Sequence, residues 1–206
     1  MIAHIEKLAE FFKRFPGIGP RQAKRFVYFL LSQEPAFLTQ LEKTISEISE
    51  NKTQCMLCNR YFIAGKNPKT PIRHCTICAD ENRDKTRLLI VEKDSDIDAV
   101  EKTRLYNGTY FVLGGTIPLF EKTPKKHISE EELVKRIGDP LLSEAIIALS
   151  ANEEGDFTGE YVKKTITPLL KKKNITLSFL AKGFSTGTEL EYSDTETLKN
   201  ALKNRG

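Results

Sequence analysis

The chain has 206 residues, a formal net charge of +4, and 39% hydrophobic against 29% charged residues. This composition is that of an ordinary soluble protein, and no apolar run approaches the ~20 residues needed to cross a bilayer. The start of the chain has helical periodicity and contains Glu6 and Glu10, which argues against a targeting peptide, so we expect a cytoplasmic protein. Because the net charge is modest, nucleic-acid binding would require a local basic patch, a partner or an oligomer.

A basic helical hairpin is predicted at the start of the chain. Apolar residues from Ile2 to Phe15 recur at spacings of three and four, the run Pro16–Pro20 breaks the helix, and two further helices follow, the third over about 35–50. Glycines in the turn allow an anion to approach backbone N–H groups, and the next helix presents its N-terminus there. The predicted DNA-binding residues are Gly17, Gly19, Arg21, Lys24 and Arg25. The alternative is a plain helical hairpin with a solvated basic face.

The only four cysteines form two pairs, Cys55 with Cys58 and Cys75 with Cys78, separated by sixteen residues. This is the spacing of a zinc ribbon. Four thiolates fill a tetrahedral coordination sphere and leave no position for water or substrate, so the predicted Zn²⁺ is structural. The alternative is two disulfides or unrelated buried thiols, which a reducing compartment disfavours. We expect His74 to be an exposed neighbour and not a ligand.

Basic residues lie on the loop between the two cysteine pairs. Either they extend a phosphate-binding surface or they keep the loop soluble. An irregular hairpin is expected here because the loop also contains Gly65 and two prolines. The basic residues are Arg60, Lys66, Lys69 and Arg73, and the prolines are Pro68 and Pro71.

From Arg87 onward, short apolar runs alternate with helical patterns. Strands are predicted at 88–91, 110–113, 145–149 and 175–180. Helices are predicted between Ser95 and about Leu105, after a capping box at Ser129, over 158–173, and after Asp194. In the helix over 158–173, Pro168 is expected to kink the helix or to end it early. This alternation predicts a parallel sheet with helices on both faces.

Acidic residues follow two of the predicted strands. Glu92 and Asp96 follow the first strand, and Glu154 and Asp156 follow the third. The carboxyl ends of parallel strands meet at one edge of the sheet, where function is usually found in open sheets. A cluster of acids at that edge can hold Mg²⁺ or accept basic side chains from a partner. Alternatively, these residues are solvated loop acids.

In this order and at these spacings, the motifs resemble those of the RecR family of bacterial recombination mediators. The resemblance rests on the segment Pro16–Arg21, the four cysteines, Leu89–Glu92, Gly108–Gly115, Glu154–Asp156 and Glu189–Asp194. It implies an α/β multidomain protein: a helix–hairpin–helix domain over 1–52, a four-cysteine zinc finger over 53–80, a Toprim domain over 81–175, and a C-terminal strand and helix over 176–206 with inter-subunit contacts.

The resemblance also implies a function. Members of the family form ring-shaped homo-oligomers that hold DNA, duplex or gapped, without sequence specificity, and they work with RecO and RecF to load RecA onto single-stranded gaps. Toprim acids of the family are implicated in RecO binding, and the matching positions here are Glu92, Asp96 and Glu154. A location in the cytosol with the nucleoid is implied.

The chain departs from catalytic Toprim domains, which carry an Asp-x-Asp pair after the third core strand. Ser150 and Asn152 stand at those positions, so we expect no enzymatic activity. The alternative is a Mg²⁺-dependent nuclease, primase or topoisomerase-like enzyme using Glu92, Glu154 and Asp156. A third hypothesis, an RNA-binding zinc protein, is disfavoured because the sequence shows no aromatic stacking platform.

Overall fold

The computed structural model describes residues 2–65, 72–181, 187, 189–193 and 195–203. The chain divides into two compact units, Met1–Lys52 and Thr53–Gly206. Four of the loop residues named above (Lys66, Pro68, Lys69 and Pro71) and the expected N-cap Asp194 lie outside the described residues. Within the part of the chain that is described, no helix is both long and apolar enough to span a bilayer.

Three helices form the first unit, close to the predicted positions. They are α1 (Ile2–Lys13), α2 (Pro20–Leu31) and α3 (Pro35–Asn51). Both α2 and α3 have proline in the first turn, where its missing N–H leaves no intrahelical bond unmade. The core between α1 and α2 is small: Ala9, Ala23 and Val27 are buried, and α3 buries none of its residues. The short alanine side chains allow α1 and α2 to approach closely.

The second unit is built on a four-stranded parallel sheet. Its strands are β3 (Asp84–Val91), β4 (Gly108–Val112), β5 (Glu144–Ala148) and β6 (Thr176–Phe179), and they lie in the order β4-β3-β5-β6. Its helices are α4 (Thr76–Ala79), α5 (Asp94–Thr103), α6 (Glu130–Ile137), α7 (Glu153–Lys173) and α8 (Thr195–Lys203). Two short strands, β1 (Lys52–Gln54) and β2 (Tyr61–Ile63), pair beside the first cysteine pair. The predicted parallel sheet with flanking helices is confirmed.

The central strand β3 is apolar on both faces, as a buried parallel strand must be. Leu88 and Ile90 pack in a core that includes residues of α6 and α7. Leu89 and Val91 pack in a second core with Ile97 of α5 and three of the cysteines. The cysteine pairs therefore belong to the core on one face of the sheet.

Helix α7 differs from its predicted extent. It begins at Glu153 and not near Thr158, because Asn152 caps it by accepting a hydrogen bond from the Gly155 amide at 2.8 Å. Pro168 lies inside the helix, which continues to Lys173. Buried residues on either side of the proline, Ile166 and Leu170, pack against the sheet, and this packing outweighs the missing hydrogen bond.

Two other helix boundaries also differ. Helix α5 ends at Thr103, with Arg104 in the left-handed region, so Leu105 lies beyond the helix and is 90% exposed. Ser129 is the N-cap of α6 as predicted, but its side chain makes no cap hydrogen bond. Its hydroxyl instead accepts a hydrogen bond from Asn59 at 2.7 Å.

Replacing Gly155 with alanine should destabilise the second unit. A Cβ at this position would lie 1.9 Å from the carbonyl oxygen of Ser150, so the start of α7 would have to move off the end of β5. Overpacking of this kind typically costs about 1–3 kcal/mol. Thermal unfolding of Gly155→Ala should therefore occur below that of wild type. Gly19→Ala is the control, since its Cβ would meet nothing within 4 Å; equal melting temperatures for all three proteins would contradict the close contact.

Candidate functional site

The hairpin between α1 and α2 is fixed by one glycine and one apolar side chain. Gly17 has φ of +74°, a left-handed conformation that other residues adopt at a cost. Ile18 packs against the Ala9, Ala23 and Val27 core, and its amide donates to the Phe15 carbonyl at 3.1 Å. The packing of Ile18 thus anchors the turn on the core of the unit, while Gly17 and Gly19 on either side of Ile18 are exposed.

The N-terminus of α2 directly follows this turn, and its first-turn amides are not capped by a side chain. Gly19 is the N-cap, and no side chain caps the helix. The free amide groups of the first turn carry a partial positive charge that favours an anion. Gly19 has an ordinary φ of −81° and open space at its Cβ position, so the fold of this unit does not itself require glycine there. A bare backbone at this position allows a ligand to approach closely.

Three exposed cations accompany that helix start. Arg21, Lys24 and Arg25 make no ion pair within the described residues of the chain, and Arg25 Nη1 donates only to Gln22 Oε1 at 3.4 Å. The sequence-predicted hairpin residues are therefore gathered on α2 and its N-terminal turn. An uncapped helix N-terminus followed by exposed cations is an arrangement that can hold a phosphate.

The four cysteine sulfurs come together in space. All four Sγ atoms lie within 4.8 Å of one another, and those of Cys58 and Cys75 are 3.6 Å apart. A regular tetrahedron with Zn–S bonds of about 2.3 Å places sulfurs about 3.8 Å apart. Cys55, Cys58 and Cys75 are buried and Cys78 is partly buried, and all four are free thiols. The arrangement fits a tetrahedral metal ion and not two disulfides.

The charge state of the cluster also favours a cation. Hydrogen bonds from Cys58, then from Cys75 and Cys78, lower the pKa of Cys55, whereas contact with Cys55 raises the pKa of Cys58 and of Cys78. Neighbouring thiolates repel one another, so the sulfurs do not all ionise together unless a cation compensates them. A divalent ion bound by four thiolates would supply that compensation. The exposed His74 is not in this group.

The first cysteine turn is bonded to the edge strand of the sheet. The Val112 amide donates to the Cys58 carbonyl at 2.8 Å, and Asn59 Nδ2 donates to the Val112 carbonyl at 3.0 Å. Asn59 adopts φ of 64°, which asparagine tolerates better than most residues. Sequence reasoning missed Asn59, although an asparagine directly after a CxxC turn is a usable signal for a left-handed position.

The basic loop prediction is wrong in one residue. Arg60 is not a free cation on the loop: its side chain is 18% exposed and lies 3.5 Å from Asp98 of α5. Arg73 is exposed, and its carbonyl accepts from the Met56 amide at 3.0 Å. In the described part of this loop, Arg60 and the Arg73 backbone therefore make contacts within the second unit.

The acids at the carboxyl edge of the sheet are each held locally. Glu92 follows β3, is 16% exposed, and accepts a hydrogen bond from the hydroxyl of Ser150, which follows β5. Lys93 Nζ lies 3.9 Å from the other Glu92 oxygen. The Glu92 carboxylate thus has a neutral hydrogen-bond donor on one oxygen and a lysine near the other.

Asp96 and Glu154 have different roles in the fold. Asp96 Oδ2 accepts from the Lys93 amide at 2.9 Å and caps α5. Glu154 lies in the first turn of α7, is exposed, and accepts from Thr116 Oγ1 at 3.2 Å. The predicted acids share one edge of the sheet, yet across the described ranges only the cysteines form a group of three or more ligands close enough to hold one metal ion.

A helical hairpin unit followed by a four-cysteine site and a parallel α/β sheet defines a helix–hairpin–helix and Toprim protein. Family profiles described as "RecR, helix-hairpin-helix" and "Toprim domain" match residues 5–49 and 86–181. The proteins named "Recombination protein RecR" from Staphylococcus aureus strains Newman and USA300 / TCH1516 are each 33% identical to this chain over 201 residues, covering 98% of the chain and 96% of the relative. The chain belongs to the RecR family of recombination proteins.

The cysteine site should hold about one zinc ion per chain. Cys58→Ser should lose the metal and loosen the core that the cysteines share with β3 and β4, because structural zinc contributes roughly 10–16 kcal/mol in small domains. Metal analysis and thermal unfolding of protein purified without chelators measure both effects. His74→Ala is the matched control and should retain the metal; a wild-type protein free of zinc, or containing disulfides, would contradict the assignment.

Proposed function

We propose that this chain is a recombinational DNA-repair mediator that binds DNA without sequence preference as a ring-like oligomer and, with RecO and RecF, helps to load RecA onto single-stranded gaps. Its working location is then the cytosol, with the nucleoid. The observation that carries the proposal is the α2 start, where an uncapped helix N-terminus and a glycine turn meet exposed cations. These groups contact phosphate and not base edges, so they hold DNA without reading its sequence.

Self-association is supported by the first unit. Helix α3 has no buried residue, and Phe37, Ile45 and Ile48 on it are exposed apolar side chains. Such side chains gain stability when another subunit covers them. Assembly would also place several copies of the α2 cations around one DNA molecule, and the phosphate contacts would then add.

A binding role is supported over a catalytic one by the environment of Glu92. In two-metal phosphoryl transfer, several carboxylates fix ions about 3.5–4 Å apart. Ser150 instead donates its hydroxyl to Glu92, and Asn152 caps α7. At these two positions, where catalytic Toprim domains carry aspartates, this chain therefore has neutral side chains that make hydrogen bonds within the fold. The proposed zinc is structural and takes no part in chemistry.

The acidic edge is proposed as the docking site for a basic surface of RecO. Glu92, Asp96 and Glu154 lie at the carboxyl end of the sheet, and the Glu154 carboxylate is exposed. Glu154 makes no ion pair within the described residues, so its carboxylate can pair with a basic side chain of a partner. Among the described residues these acids do not form a group of three or more ligands close enough for one metal ion, which favours arginine or lysine from another protein as the cation.

DNA affinity should depend on α2. The double variant Arg21→Ala, Arg25→Ala removes two exposed cations, and we expect it nearly to abolish binding to duplex and gapped DNA while the fold is kept. Fluorescence anisotropy over a series of salt concentrations should show a steep salt dependence for wild type and a shallower one for the variant. Gly19→Ala should also weaken binding, because its Cβ occupies the space a phosphate would approach.

The control for this experiment removes the same charge elsewhere in the first unit. Lys7 and Lys43 are exposed residues of α1 and α3, so Lys7→Ala, Lys43→Ala should bind nearly as wild type does. If the Arg21→Ala, Arg25→Ala variant binds DNA as tightly as this control, the hairpin is not the DNA site.

RecO binding should depend on Glu154. Reversing its charge in Glu154→Lys should weaken RecO binding while leaving DNA affinity unchanged, because breaking a desolvated charge pair typically costs about 2–5 kcal/mol. Glu92 is less suitable for this test because it is mostly buried and bonded to Ser150. Glu160→Lys is the matched control on the same helix, where Glu160 forms an ion pair with Lys163 at 3.0 Å. Parallel titrations with RecO and with DNA decide: equal loss in both assays would mean that the acid supports assembly and not docking.

A further inference from the structure

We propose that the loop from Ile117 to Ile128 is a second nucleic-acid contact, in which Phe120 stacks on an unpaired base and neighbouring lysines contact the phosphates of a single strand. This proposal rests on the DNA-binding function proposed above and adds to it a site in the second unit. The sequence predicted no aromatic platform, because sequence alone does not show which aromatic residues are exposed.

Phe120 is displayed at the tip of a tight turn. Its side chain is 95% exposed and its φ is +65°, a left-handed conformation that is a clear outlier for a bulky residue. The turn is closed by a hydrogen bond from the Glu121 amide to the Pro118 carbonyl at 3.2 Å. Strain of this kind persists only where surrounding contacts impose it, and it is concentrated at functional positions.

Contacts of Glu121 hold the turn in place. Its carboxylate accepts from the Thr123 amide at 2.7 Å, from the Thr123 hydroxyl at 2.9 Å and from His127 Nε2 at 3.0 Å. The Thr123 amide, followed by the Thr123 hydroxyl and His127, lowers the pKa of Glu121 to about 2. Glu121 therefore stays ionised and bonded at neutral pH, and these contacts of the loop do not involve the Phe120 side chain.

Both ends of the loop are anchored in the core. Ile117 and Ile128 are buried, and the Ile117 amide donates to the buried Thr158 hydroxyl at 2.8 Å. An exposed aromatic ring on a fixed base loses little conformational entropy when it binds. This is the arrangement expected of a binding element and not of a loosely held loop.

The loop also supplies positive charge. Lys122 and Lys126 are exposed and make no ion pair within the described ranges, whereas Lys125 pairs with Glu130 at 3.0 Å. Lys126 further lines a cavity of about 350 Å³ beside Lys93 at the carboxyl edge of the sheet. Two cations on the same loop as Phe120 are thus available to the phosphates of a bound strand.

Single-stranded nucleic acid is the ligand that fits this combination. An aromatic face next to basic side chains binds unpaired bases irrespective of sequence, because every base has a stacking face and every nucleotide a phosphate. In a duplex the base faces are already stacked on one another, so Phe120 would gain little from it. The site would therefore favour gapped over fully paired DNA.

A single-tryptophan variant tests the contact directly. The chain contains no tryptophan, so Phe120→Trp introduces one fluorophore at the proposed site. Adding a single-stranded oligothymidine should quench its emission by stacking, whereas a blunt duplex should change it little. Leu105→Trp is the control, since Leu105 is also almost fully exposed and also adjoins a residue in the left-handed region; equal quenching at both positions would overturn the proposal.

Affinity measurements complete the test. Phe120→Ala should lower affinity for single-stranded and gapped DNA by about 5- to 150-fold, the range that corresponds to the loss of one base-stacking contact, with duplex affinity and oligomer mass unchanged. Leu105→Ala should match wild type in every assay. An unaltered single-strand affinity, an equal loss on duplex, a changed oligomer mass, or loss of RecO binding alone would each contradict the site. If Arg21→Ala, Arg25→Ala fails to weaken duplex binding while Phe120→Ala weakens single-strand binding, only the proposed role of the hairpin fails.

Discussion

The hydrogen bonds between the first cysteine turn and strand β4 constrain the whole second unit. Strand β4 is the edge of the sheet, and an open edge invites pairing with another chain. The Cys58 carbonyl and the Asn59 side chain occupy the polar groups of Val112 at that edge. Since the same cysteines pack with Leu89 and Tyr110 on one face of the sheet, the order of the metal site and the order of the sheet are coupled. A metal ion held by these sulfurs would therefore also stabilise the core on this face of the sheet.

The polar side chains of this unit that are candidates for function lie at the carboxyl edge of the sheet. The carboxyl ends of β3 and β5 meet at one edge, and Ser150 reaches Glu92 across it. A serine hydroxyl supplies the Glu92 carboxylate with a hydrogen-bond donor without introducing a second carboxylate. Glu154 is exposed, and in the proposed function its carboxylate would meet a cation on a partner.

Much of this could be predicted from the sequence, and the exceptions have physical causes. Cysteine spacing predicts the four-sulfur cluster because a CxxC turn has few conformations, and apolar runs predict the strands because buried parallel strands are apolar on both faces. The start of α7 was missed because Asn152 and Gly155 have the composition of a loop; one caps the helix and the other fits against Ser150. The exposure and the left-handed backbone of Phe120 were not predicted, because a phenylalanine has the same local sequence pattern whether its ring is exposed or buried.

The small core of the first unit links the proposed assembly to the proposed DNA binding. Only Ala9, Ala23 and Val27 form its buried cluster among the residues that the structure describes, and α3 adds none. A three-helix unit with so little buried apolar surface is marginally stable alone, so covering α3 with another subunit would stabilise the helices that present Arg21 and Arg25. In the proposed function, one chain would offer too few phosphate contacts for tight binding, whereas several chains on one DNA would add theirs. The proposed roles of the apolar side chains of α3 and of the basic start of α2 therefore depend on each other: covering α3 would form the oligomer, and the oligomer would make the start of α2 an effective DNA site.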